Sequence, residues 1–284
     1  MSPPLEKKQA DGALARVASA LVLAPLAIIV VLLGGWPFVL VWCLAAMIVY
    51  WEWTAEIVKA PRSAEVAGVG VLAVAGLLGA SGFPSMALLV ITVGAGALAA
   101  LGGTRRLWCG AGLLYAGLVL AGPMLLRRDL HPDFGVLALF YLFAVVWATD
   151  ILALFAGRRI GGPKLAPSIS PKKTWSGAIA GALGGVAAGA AVAAVGSNLL
   201  NLPKTNILAA TGLALLLSVV AQGGDLFESA VKRRFGVKDS GRIIPGHGGL
   251  MDRLDGFLAA AGAAALLGVA RGGLDGAASG LLAW

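Results

Sequence analysis

Long apolar stretches run through this chain, interrupted by charge clusters, prolines and glycines. A helix needs about 20 apolar residues to cross the hydrocarbon core of a bilayer, and fewer where the protein buries its ends. Division at the breaks gives nine such segments, at residues 15–34, 37–58, 66–81, 84–102, 107–126, 134–156, 175–196, 206–222 and 256–270. The third, eighth and ninth are short, which leaves eight and ten as neighbouring counts. The pattern predicts an all-α, polytopic integral membrane protein with about nine transmembrane helices.

Composition sharpens this picture. Of the 284 residues, 59% are hydrophobic and 13% charged, against about 25% charged in soluble chains, so an ordinary soluble domain is excluded. The 41 glycines follow no G-x-y period, which excludes collagen. Cys43 and Cys109 sit in or beside apolar runs and read as packing residues, with neither a disulfide framework nor a C-x-x-C metal site. A net charge of +8 in a soluble chain would point to nucleic acid; in this chain the placement of the charges matters more, and no nucleic-acid partner is expected. With nine spans, all but four of the 22 Lys and Arg fall on the side holding the N-terminus, the exceptions being Arg127, Arg128, Lys204 and Arg271. Short cytoplasmic connections carry such an excess, so the N-terminus is expected in the cytosol. The polar head, residues 1–11, lacks the features of a cleaved secretory signal, and the first helix is expected to remain as an anchor.

No separate soluble domain is expected, because the longest polar stretches are residues 157–174 and 223–255. The chain divides into N-terminal transmembrane helices, about five over residues 1–133, and a C-terminal catalytic region, 134–284, with polar motifs at 150–177 and 224–256. Gly177, Gly181, Gly185 and Gly189, spaced i, i+4, permit close helix–helix approach.

Carboxylates are scarce, so their clustering is informative. Five of the 14 lie between Asp225 and Asp255, with Lys and Arg interleaved. Asp225 and Glu228 share a face at the end of the eighth helix, and Asp252 and Asp255 share one at the start of the ninth. If the two helix ends meet, their oxygens suit a hard cation such as Mg²⁺, which leaves part of its shell to water and substrate phosphates. A plainer arrangement also fits: Asp252 and Asp255 complement a helix N-terminus, and Glu228 pairs with Lys232 at i, i+4. Between the pairs, Lys232, Arg233 and Arg234 suit phosphate oxygens. Gly246, Gly248 and Gly249 flank His247, a candidate phosphate donor or proton shuttle, or else a hydrogen-bonded structural histidine.

A second cluster precedes it. Asp150 lies inside an apolar span, where an ionisable residue is a functional candidate by default. Downstream, Ser168, Ser170 and Thr174 supply hydroxyls and Lys172 and Lys173 supply charge, just ahead of a helix start that suits anions. A stop signal that also attracts anionic lipid is the alternative. Both clusters fall on the cytosolic side of the nine-span arrangement. Their combination of cations, carboxylates and glycines at a membrane surface points to phosphoryl or nucleotidyl transfer to a lipid.

The run from Ser229 to Asp255, SAVKRRFGVKDSGRIIPGHGGLMDRLD, resembles the C-terminal hallmark of the phosphatidate cytidylyltransferases, also called CDP-diglyceride synthases. Residues 150–158 and 170–177 are similar to two further motifs of that family. Leu154 stands where the family usually has tyrosine, and Ser176 where Glu or Gln is common. The resemblance implies that CTP and phosphatidic acid give CDP-diacylglycerol and pyrophosphate for phospholipid biosynthesis, with Mg²⁺ and a second, monovalent cation such as K⁺. It implies a homodimer in a bacterial inner membrane with a cytosolic active site. On this reading Asp225 and Asp252 hold Mg²⁺ with Asp255 and Glu228 in support. Lys172, Lys173, Lys232, Arg233 and Arg253 neutralise phosphates, and His247 contacts a phosphate or the leaving group. Ser170, Thr174, Ser229 and Asp150 complete the substrate-binding set.

Two other functions fit the residues less well. A CDP-alcohol phosphotransferase begins its motif as D-x-x-D-G, which Asp252, Asp255 and Gly256 imitate, but Ala259 and Ala260 replace the A-R that must follow. A transporter using Asp150 leaves the dense polar segment 223–255 without a purpose.

Overall fold

A computed structural model describes residues 24–101, 105–203, 205–241, 243 and 248–284. Among them are α1 (Ala24–Leu33), α2 (Gly35–Trp51), a π-helical turn (Glu52–Val58), α3 (Arg62–Ala80), α4 (Pro84–Leu101), α5 (Arg106–Arg127) and α6 (Pro132–Arg159). A short hairpin of β1 (Lys164–Ala166) and β2 (Ser170–Thr174) follows, then α7 (Trp175–Leu199), α8 (Ile207–Arg234), α9 (Met251–Gly272) and α10 (Ala277–Leu282). Eight helices among the described residues are long and apolar enough to cross a membrane. The first expected span is described only from Ala24, as the shorter α1, so these residues do not supply the full count of nine.

Local chemistry sets the helix starts. Pro132 opens α6, where its missing N–H costs nothing. Thr174 Oγ1 accepts from Gly177 N at 3.2 Å to cap α7, and Asn206 Oδ1 accepts from Leu208 N at 3.0 Å and Ala209 N at 3.3 Å to cap α8. Within the bundle α5 is central, packed by α2, α4 and α9. In its most apolar stretch 83% is buried, against 28% for α3, α4 and α7, whose Leu77, Val93 and Leu183 face outward as lipid-exposed side chains do. The glycine stripe of α7 lies against α6 as its spacing predicts: a Cβ on Gly177 would stand 2.7 Å from Ala153 O, and one on Gly181 2.7 Å from Thr149 O.

Three boundaries differ from the sequence reading. Helix α8 continues to Arg234 through Gly223 and Gly224, which read as a break. At Gly224 the backbone of α9 comes so close that a Cβ would lie 2.7 Å from Asp255 O, so the glycine is a crossing point inside a helix. Helix α9 begins at Met251, so Asp252 and Asp255 are already helical. The proline-bearing segment after α6 is a hairpin, pairing Lys164 with Thr174 and Ala166 with Ser170.

At one end of the bundle, Arg128 Nε meets Asp275 Oδ1 at 2.8 Å, and Asp129 Oδ2 accepts from Ser279 N and Oγ, seating α10. The polar motifs gather at the other end. There Arg234 lies over the Trp108 ring, and Trp53 Nε1 donates to Trp108 O at 2.8 Å.

Candidate active site

Helices α6, α7, α8 and α9 and the hairpin enclose a cavity of about 590 Å³. Its wall contains Asp150, Asp225, Asp252 and Asp255 together with Arg158, Lys164, Lys172, Lys173 and Arg253. Two segments about 75 residues apart in sequence thus meet in one charged cleft. The crossing of α8 and α9 at Gly224 aligns Asp225 with Asp255, and the hairpin folds back over them. Lys173 Nζ on β2 lies 2.6 Å from Asp225 Oδ2 on α8, tying the first motif to the second. Ser176, a departure from the family pattern, donates to Gly161 O and pairs with Thr174 Oγ1 at 3.1 Å, so it ties the turn after α6 to the start of α7. Leu154, the other departure, lines the cavity.

Behind this cleft lies a buried ionic triad. Lys232 Nζ stands 2.7 Å from Glu228 Oε2 and 2.6 Å from Asp252 Oδ1. Glu228 and Lys232 are nearly inaccessible, at 1% and 9% exposure, so this cation is committed to holding carboxylates. The i, i+4 pairing of Glu228 with Lys232 is present, and Asp252 joins it. Glu228 Oε1 is buried without a hydrogen-bond partner. Asp252 also accepts from Gly249 N at 3.0 Å and from Ser240 N at 3.1 Å, which fixes its carboxylate at the start of α9.

The remaining sequence candidates separate. Thr174 lines the cavity while capping α7. Arg233 is exposed and donates to Val237 O at 3.1 Å, away from the cavity wall, and Ser229 and Ser170 are half-buried outside that wall. His247 and Gly246 lie outside the described residues.

Sequence reasoning overlooked Glu52. It is fully buried in the π-helical turn and accepts from Leu250 N at 2.8 Å, Met251 N at 2.7 Å and Ser240 Oγ at 3.2 Å. The signal was available: Glu52 is a carboxylate within an apolar span, the criterion that singled out Asp150.

A second, apolar cavity of about 490 Å³ adjoins the charged one and shares Asp150 and Arg253 with it. Trp42 stacks on Phe257 at 5.1 Å, Phe257 meets Phe143 at 5.2 Å, and Phe143 stacks on Trp147 at 5.2 Å, forming an aromatic wall. A charged compartment thus opens beside an apolar one, with two ionisable residues at the junction.

As to a metal, no group of three or more His, Cys, Asp or Glu among the described residues forms a ready cage. Mg²⁺ requires less, since it binds through one or two carboxylates plus substrate phosphates and water. Asp225, Asp252 and Asp255 all line the cavity and Glu228 Oε1 is buried without a hydrogen-bond partner, carboxylate oxygens of the type that Mg²⁺ takes.

Known proteins are similar to this chain over most of its length. A phosphatidate cytidylyltransferase of Brucella abortus is 43% identical over 271 residues, covering 89% of this chain and 92% of the relative. Those of Brucella suis and Brucella melitensis are 43% and 42% identical over the same coverage. The model of the cytidylyltransferase family matches residues 14–270, so the chain belongs to that family.

Proposed function

We propose that this chain transfers the cytidylyl group of CTP to phosphatidic acid, giving CDP-diacylglycerol and pyrophosphate. A phosphate oxygen of the lipid attacks the α-phosphorus of CTP; the new P–O bond forms as the bond to the β,γ-pyrophosphate breaks, and pyrophosphate leaves. No protein nucleophile is required, so the work of the site is positioning and charge neutralisation. The observation that carries the reading is the paired cavity, charged on one side and aromatic on the other, with Arg253 and Asp150 at the junction. Lys172, Lys173, Arg158 and Arg253 bind the triphosphate and the lipid phosphate, and the acyl chains enter the apolar compartment. Asp225 and Asp252, with Asp255 and Glu228 beside them, are the residues to hold Mg²⁺, which when bound supplies charge neutralisation at the phosphates. Lys173, now on Asp225, is placed to turn to a phosphate when that carboxylate is engaged. Lys232 keeps Asp252 and Glu228 fixed and stays out of the cleft.

The N-terminus and this site face the cytosol of a bacterial inner membrane in this reading, supported by the clustering of Lys and Arg at the polar end of the bundle. A homodimer and a second, monovalent cation such as K⁺ belong to the same reading; particle mass in detergent and activity in K⁺-free buffer check them. The reading is tested by pyrophosphate release from CTP by the purified protein. Release that requires both phosphatidic acid and Mg²⁺ supports it, and release indifferent to the lipid overturns it.

A further inference from the structure

Helix α9 starts without a cap of its own: its N-cap residue is Leu250, whose side chain accepts no hydrogen bond. The first N–H groups of any helix lack intrahelical partners, and burying them unpaired is costly. Here the N–H groups of Leu250 and Met251 are both taken by one carboxylate, Glu52, from a helix some 200 residues earlier. We infer that Glu52 is a positioning residue for the transfer reaction, capping α9 from another helix and so holding Asp252 where it lines the cavity. This rests on the function proposed above.

Three observations bear on it. Ser240 links the two carboxylates, donating its hydroxyl to Glu52 at 3.2 Å and its backbone N–H to Asp252 at 3.1 Å. The chain wraps Glu52 so closely that only glycine fits: a Cβ on Gly249 would lie 2.6 Å from Glu52 Oε1, and one on Gly241 2.8 Å from it. Finally, Glu52 begins a π-helical turn, a rare distortion found often at functional sites.

The chemistry explains why a second carboxylate is needed. Asp252 sits in the first turn of α9, where an acidic side chain is drawn to bare N–H groups. It already accepts from Gly249 N. Without Glu52, the orphaned N–H groups of Leu250 and Met251 compete for Asp252 and turn it from the cavity. Groups that orient a metal-binding carboxylate typically matter by about 10–100-fold in metal affinity or activity.

The test compares Glu52→Gln, which keeps the shape but replaces one acceptor oxygen by a donor, and Ser240→Ala, which removes only the link, with the parent protein in detergent. Four quantities are read on the folded, monodisperse fraction: kcat, KM for CTP, the Mg²⁺ concentration for half-maximal rate, and amide hydrogen exchange of the peptide spanning residues 248–254 without Mg²⁺. The expected result for Glu52→Gln is a kcat about 10–100-fold lower with KM for CTP within threefold, a several-fold higher Mg²⁺ midpoint, and faster exchange confined to that peptide. Ser240→Ala should shift the same quantities in the same direction by less. A stability loss with kcat and Mg²⁺ midpoint within twofold of the parent overturns the inference, because a purely structural tie would behave so. Should Glu52→Gln fail to fold, Ser240→Ala decides by the same criteria. A parent protein that transfers no cytidylyl group ends the functional reading instead; exchange that stays slow at residues 248–254 in both variants then overturns the positioning role as well.

Discussion

The ammonium of Lys173 on β2 lies 2.6 Å from Asp225 Oδ2 on α8, so a hairpin that follows one membrane span is fastened to the C-terminal third of another. The pair is partly open to the cavity, at 24% and 36% side-chain exposure. Substrate can therefore compete for either member, and the pair differs in kind from the buried Lys232 triad behind it.

Replacing Asp225 by Asn should lower transfer activity by about 10²-fold or more, the scale on which a charge stabiliser at a reacting centre acts. The partly exposed position should leave the elution profile and helix content in detergent unchanged. Steady-state rates at saturating Mg²⁺ check this; full turnover would remove Asp225 from the site.

Lys173→Ala should raise KM for CTP and lower kcat together, with Lys173→Arg restoring part of the loss because charge is kept and geometry altered. An unchanged KM in the alanine variant would show that this lysine serves the fold alone.

Lys232→Met should act on stability first. It leaves Glu228 and Asp252 buried without their cation, and removing one partner of a buried ion pair costs about 3–5 kcal/mol. A large fall in the thermal unfolding temperature is expected, more than for Lys173→Ala, and equal shifts would contradict the distinction between the two lysines.

Ala45→Trp should obstruct the apolar compartment whose wall includes Trp42, Phe143 and Phe257. The expected effect is a rise in KM for long-chain phosphatidic acid of roughly tenfold, equivalent to about 1.4 kcal/mol, with KM for CTP little changed. Equal effects on both substrates would argue against acyl chains occupying that space.

Much of the architecture was legible in the sequence because membrane spans announce themselves by composition. What was not legible is where a span ends once charged residues appear in it. Gly223 and Gly224 looked like a boundary because glycine disfavours helix interiors; in the structure α8 passes through them and carries Asp225, Glu228 and Lys232 as one helix. The sequence pattern brought the two polar motifs to one end of the molecule, and the cavity joins Asp150, Lys172, Lys173, Asp225, Asp252 and Asp255. Spacing alone gave no means of dividing the Lys232–Arg234 run, in which Lys232 turns inward to two carboxylates, Arg233 caps the chain at Val237 O and Arg234 covers Trp108. Glu52 escaped notice because its partners are backbone N–H groups at Leu250 and Met251, which leave no mark in a residue pattern.

Whether the charged and apolar compartments together join a nucleotide to a lipid is read by following the label of CTP. Purified protein is given phosphatidic acid, Mg²⁺ and CTP carrying radioactive phosphorus at either the α or the γ position. Cytidylyl transfer places α label in the chloroform-soluble lipid and leaves γ label in water as pyrophosphate, and with Asp225→Asn the lipid gains α label about 10²-fold more slowly, or more slowly still. Label from the γ position entering the lipid, or α label staying wholly in water, would contradict it.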